Sequence, residues 1–89
     1  MAHVSFTPHL LRHVQADPGE FAGGTVRAVL DAVFAEYPAM RSYVVDEQGA
    51  LRKHVNIFID GTPIKERENL SDIVGVGGEV YIMQALSGG

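Results

Sequence analysis

The chain has no cysteine. Disulfides, iron–sulfur ligation and a thiol nucleophile are therefore excluded within it. No apolar run approaches the roughly 18 residues that a spanning helix needs, and Met1 to Thr7 lack a charged start followed by a hydrophobic segment. The expectation is a cytoplasmic protein with no membrane partner. Basic residues are few, 7 against 11 acidic ones, for a net charge of −4. Apart from Arg52-Lys53 they are scattered, so the basic stripe of a nucleic-acid binder is missing. No Ser, Thr or carboxylate pair stands in a recognisable activated context, which leaves intrinsic catalysis without candidates and argues against an enzyme. Phosphate loops are missing too. Gly75-Val76-Gly77-Gly78 opens a strand rather than a helix and has no following Lys-Ser/Thr, and Gly23-Gly24 is too short for a dinucleotide fingerprint. Both read as turns. His9 and His13 are four apart and would share a helix face, but no acidic or cysteine partner stands nearby, so no metal is expected.

What is present describes one small layered domain. At 89 residues the chain can bury a core without staples, and 46% hydrophobic residues supply it. His3 to Thr7 alternates, with Val4 and Phe6 on one face, and stops at Pro8. Leu10 to His13 fits a helical turn or a loop, and Asp17-Pro18-Gly19 turns the chain into a second strand at Glu20-Phe21-Ala22. The spacing then predicts a helix. Thr25 caps it, Gly24 permits the sharp approach, and Val26, Val29, Leu30, Val33 and Tyr37 form an apolar stripe with Phe34 beside it. Arg27 and Asp31 are placed to pair on the polar side, and Pro38 ends the helix.

Beyond Pro38, Tyr43-Val44-Val45 reads as a short strand or packed loop, and Glu47-Gln48-Gly49 as a turn. Leu51 to Asp60 reads as the longest strand, with Leu51, Val55, Ile57 and Ile59 of one parity and Phe58 of the other. Lys53 interrupts the first set. Asp60-Gly61 turns the chain into an edge piece at Thr62-Pro63-Ile64, and Leu70 to Val74 is one helical turn at most. In the last strand, Glu79 to Gln84, Val80 and Ile82 face one way and Tyr81 and Met83 the other. The fold class is α+β, a mixed sheet with one main helix packed across one face. Its expected core is Val4, Phe6, Val29, Leu30, Val33, Val55, Ile57, Ile59, Val80 and Ile82. Residues 1–84 form the domain and residues 85–89 a flexible diglycine tail.

His54-Val55-Asn56-Ile57-Phe58-Ile59-Asp60-Gly61, then Gly78-Glu79-Val80-Tyr81-Ile82 and the final Gly88-Gly89, resemble the ubiquitin-like sulfur carriers. That family includes the thiamine-biosynthesis carrier, the small subunit of molybdopterin synthase and a cysteine-biosynthesis carrier. The resemblance covers nearly the whole chain and implies a ubiquitin-like β-grasp fold. Two positions depart from the family pattern: Val76-Gly77-Gly78 lacks the usual aspartate after glycine, and Ser87 replaces a common alanine.

The resemblance implies that an E1-like adenylating enzyme, using ATP and magnesium, activates Gly89, and that a persulfide or sulfide source converts it to a thiocarboxylate. A downstream sulfur-accepting enzyme would receive that sulfur. The carrier itself binds no cofactor. Leu86, Ser87, Gly88 and Gly89 would enter the partner's active site, with glycine leaving the thread free of side chains. From Gln84 to Gly89 an extended chain reaches roughly 20 Å. Phe58, Tyr81 and Met83 would form a partner-docking patch on the open sheet face, unless the segment around Tyr43 to Val45 covers them. Two other functions fit the same residues: a modifier conjugated through Gly89 to lysines, and a non-catalytic interaction module.

Overall fold

A computed structural model of the chain describes residues 1–12 and 14–84, without the side chain of His9. Strand β1 (Ala2–Phe6) leads into a short helix α1 (Pro8–Leu11) and returns as β2 (Gly19–Phe21). The main helix α2 (Val26–Glu36) follows, then a 3-10 turn (Pro38–Met40) and a single helical turn α3 (Arg41–Val44). Strands β3 (Val55–Ile59), β4 (Thr62–Pro63) and β5 (Glu79–Gln84) complete one five-stranded sheet in the order β2-β1-β5-β3-β4. The β1–β5 pair is parallel and the other neighbours are antiparallel. The two end strands therefore lie side by side in the middle, in the mixed sheet that the resemblance implies.

Helix α2 starts where the sequence places it. Thr25 is extended and its hydroxyl accepts the Ala28 N–H at 3.2 Å. The glycine that matters is Gly23 rather than Gly24. A Cβ on Gly23, whose φ is +150°, would lie 2.6 Å from the Val29 nitrogen, whereas one on Gly24 would meet nothing. Two further N–H groups of the first turn, on Val26 and Arg27, donate to the carbonyls of Asp72 and Leu70 at 3.0 and 2.9 Å. The segment after Lys65 thus caps the helix from across the fold. Leu70 to Val74 makes no helical turn: Leu70 has φ +54° and is fully buried, and Ile73 bridges Thr25. The left-handed backbone at Leu70 costs about 1–2 kcal/mol, against about 1.5–3 kcal/mol from burying its side chain. The Asp72 carboxylate holds this segment in shape, accepting N–H from Glu66 at 2.8 Å and Lys65 at 3.1 Å. Those donors, Glu66 first, hold its carboxyl below the ordinary aspartate value.

Val26, Val29, Leu30, Val33 and Phe34 of α2 are buried against the sheet. Phe34 belongs to the stripe rather than beside it, and the Arg41 guanidinium lies 5.7 Å from its ring centre. Eight expected core residues, from Val4 to Ile82, are almost fully buried, Phe6 is buried, and Ile59 is half-buried. Leu10, Met40, Val44 and Leu70 are equally buried but were not expected there. Met40 and Val44 are four apart, which is why Tyr43 and Val44 are helical rather than extended, while Val45 after them is extended.

Two more expectations are corrected. Arg27 makes no ion pair with Asp31 among the described residues. Its guanidinium donates instead to the carbonyls of Gly49, Glu68 and Asn69 at 3.1–3.3 Å. The long strand begins at Val55 rather than Leu51. Leu51 bridges Val45, and a turn closed by the Val55 N–H on the Arg52 carbonyl leaves Lys53 and His54 exposed. In the turn before β5, Gly77 at φ +75° takes the strained position, its N–H donates to the Met1 carbonyl, and Val76 projects into solvent.

Candidate docking face and the root of the tail

Being central, β5 is gripped from both sides up to its last described residue. Thr7 extends the parallel ladder: its N–H donates to the Ile82 carbonyl at 3.1 Å, and its hydroxyl accepts the Gln84 N–H at 3.2 Å. Thr7 is buried, and Val55 pairs with Gln84 on the other side. The buried Gln84 Oε1 has no hydrogen-bond partner among the described residues. Leu86, Ser87, Gly88 and Gly89 lie outside the described residues, as does His13.

Strand alternation sends Val80 and Ile82 to the helix side and leaves the opposite face open. On that face Phe58 pairs directly with Tyr81, Asn56 with Met83, and Ser5 with Tyr81 across β1. Residues so opposed have Cβ atoms about 4.5–5.5 Å apart. The structure therefore brings Phe58, Tyr81 and Met83 together. Phe58 and Met83 are half-buried and Tyr81 is 37% exposed. With Ser5, Gly61 and Glu79 they line a shallow concavity of ≈ 490 Å³. Tyr43, Val44 and Val45 take no part in its lining.

The end of the concavity away from the tail is acidic. Asp60 and Gly61, at φ +51° and +86°, make the tight hairpin turn between β3 and β4. The Asp60 carboxylate accepts the Glu79 N–H at 2.9 Å, and its own N–H donates to the Glu79 carbonyl at 2.9 Å. Beside Glu79 stands His3, whose Nδ1 lies 2.7 Å from Glu20 Oε2. At the tail end the Arg67 guanidinium donates to Asn56 Oδ1 at 3.1 Å and to the carbonyls of Arg52 and Val55 at 2.7 and 2.8 Å. Sequence reading missed Thr7, Asp60 and Arg67 as parts of this region. Asp60 was visible as a turn residue, but nothing local marks Thr7, whose partner is 77 positions away.

Among the described residues no group of three or more His, Asp or Glu could hold a metal, and no helix is long and apolar enough to cross a membrane.

Solved structures share the architecture. A chain of the Amycolatopsis orientalis BexX/CysO complex superposes with a TM-score of 0.84 at 22% identity, covering 100% of both chains. Mycobacterium tuberculosis CysO gives 0.81 at 24%, covering 97% of this chain and 100% of that one. SAMP1 from Haloferax volcanii gives 0.79 at 24%, covering 99% and 98%. At such identities the likeness establishes the fold alone, which is ubiquitin-like. No curated protein matches the chain. The ThiS family model matches residues 13–89, a span that includes β2 to β5 and the diglycine end, and so the chain belongs to the ThiS family of ubiquitin-like sulfur carriers.

Proposed function

We propose that this protein carries sulfur on the carbonyl carbon of Gly89. The observation that carries the reading is the family match running through residue 89, with Gly88-Gly89 inside it. A carboxylate resists nucleophiles because its charge repels them and oxide is a poor leaving group. An E1-like partner, using ATP and magnesium, joins the Gly89 carboxylate to AMP and releases pyrophosphate. Sulfide then attacks the carbonyl carbon, AMP leaves, and a thiocarboxylate remains; a persulfide does the same once a thiol releases the resulting acyl disulfide. A sulfur-accepting enzyme takes the sulfur onward. The partner supplies the metal and the base, and this chain supplies a cosubstrate.

Leu86, Ser87, Gly88 and Gly89 form the segment that enters the partner's active site. Phe58, Tyr81 and Met83 form the surface on which the partner seats, since a solvated sheet face would otherwise carry polar groups there. The site of action is the cytoplasm. Incubation with the activating enzyme, ATP and a sulfide source raises the intact mass by about 16 Da, oxygen replaced by sulfur at an activated acyl group. Deleting Gly89 abolishes the shift and leaves folding unchanged. An unshifted mass for the intact chain with its own partner removes the carrier reading.

A second reading has its own support. The likeness to SAMP1, a small archaeal modifier protein, favours conjugation of Gly89 to lysines. Both functions pass through the same adenylate, and isopeptide-linked products in place of free thiocarboxylate identify the modifier.

A further inference from the structure

The open sheet face is uneven in charge. No strand of the sheet contains a lysine or arginine, yet β2 and β5 carry Glu20 and Glu79 on this face, and Asp60 sits against Glu79 at the β3–β4 turn. Adjacent strands are about 4.8 Å apart, so these carboxylates form an acidic edge roughly 10–15 Å wide across neighbouring strands. Glu20 is hydrogen-bonded to His3, and neither Glu79 nor Asp60 has a cationic partner among the described residues. The edge lies at the start of β5, and the tail leaves from its other end, about 17 Å away at roughly 3.3 Å per residue. Between them lies the apolar concavity.

We propose that the partner seated on this face is a protein whose contact segment pairs an apolar side chain with a neighbouring lysine or arginine. The apolar group fills the concavity over Phe58, Tyr81 and Met83, and the cation meets Glu79 and Asp60, within reach of Glu20. This deepens the docking reading above and rests on it. An apolar knob alone fits a symmetrical hollow in more than one rotation. A cation confined to one end removes that freedom, so the partner sits one way round and receives the tail from the opposite side. Charges at an interface rim act in this manner, on orientation and on association rate, and a change in association rate carries through to affinity in proportion.

The test uses the full chain and its purified activating enzyme, with affinity measured calorimetrically at about 50 and 500 mM NaCl, where screening lengths differ several-fold. Glu79→Lys weakens binding about tenfold at the lower salt, since reversing a rim charge replaces an attraction with a repulsion. Glu79→Gln gives a smaller loss, and both deficits shrink at the higher salt. Phe58→Ser weakens binding at both salts. The Glu79 side chain is exposed, and amide spectra with thermal unfolding verify that its variants fold. If Glu79→Lys binds within twofold of the unmodified chain at low salt while Phe58→Ser is impaired, the charge-oriented partner is refuted and the docking face stands. If both variants bind as the unmodified chain does, the docking face falls with it.

Discussion

Thr7→Val removes one acceptor from the root of the tail and almost nothing else. The two side chains have the same branching and nearly the same volume, and the backbone bonds of Thr7 to Ile82 and Leu11 do not involve the hydroxyl. What disappears is the acceptor for the Gln84 N–H, 3.2 Å away at a part-buried position. A buried donor left without a partner costs about 1–3 kcal/mol. The added methyl group, at a position that is already buried, recovers at most about 0.8 kcal/mol. With that methyl contribution fully recovered the expected net loss is about 0.2–2 kcal/mol, which lowers the melting temperature by roughly 1–16 °C in a domain of this size. Thr7→Ser keeps the hydroxyl and loses only the methyl group, so it serves as the matched control. Urea unfolding measures the stability of all three proteins, and amide hydrogen exchange reads Gln84 against Ile82 and Met83. In Thr7→Val the Gln84 amide exchanges faster by more than the global destabilisation explains, whereas in Thr7→Ser it follows the global change. A Thr7→Val protein as stable as the unmodified chain, with Gln84 equally protected, would refute the claim that this hydroxyl pins the last turn of the strand.

Ile57→Ala, a truncation at a fully buried position, costs about 2–5 kcal/mol in denaturant unfolding. Its neighbour Phe58→Ser, on the open face, costs less than Ile57→Ala, and equal losses would mean that the two faces have been misassigned. Gly23→Ala drives a Cβ to 2.6 Å from the Val29 nitrogen at φ +150°, and its unfolding midpoint falls well below that of Gly24→Ala, where the added carbon meets nothing. Asp72 titrates below its ordinary value in the folded state, so its ionised form contributes stability at neutral pH that is lost as pH falls through the folded value. Asp72→Asn is accordingly less stable than the unmodified chain near neutrality, and thermal unfolding curves collected towards strongly acidic pH converge.

The sequence alone determined the elements whose signal is periodic and local. Two-residue alternation assigned Ile57 and Phe58 to opposite faces and did the same for Ile82 and Tyr81, because a strand has no other way to arrange consecutive side chains. The stripe from Val26 to Val33, with Thr25 before it and Pro38 after it, defined the main helix for the same kind of reason. The diglycine end and the strand motif carried the family, which the match over residues 13–89 bears out. Other features needed the tertiary structure. Leu51 has strand parity but is buried through a bridge to Val45, and Arg27 leaves Asp31 for three carbonyls on two distant loops. Leu70 accepts a left-handed backbone because its carbonyl closes the start of α2. The acidic edge forms only when β2, β5 and the β3–β4 turn meet at one end of the sheet, and Thr7 reaches Gln84 only because β1 and β5 run parallel in its centre. Each of these depends on which orphaned donor or acceptor finds a partner once the chain has closed on itself. Hydrophobic periodicity is written between near neighbours; the satisfaction of buried polar groups is decided between segments far apart in the chain.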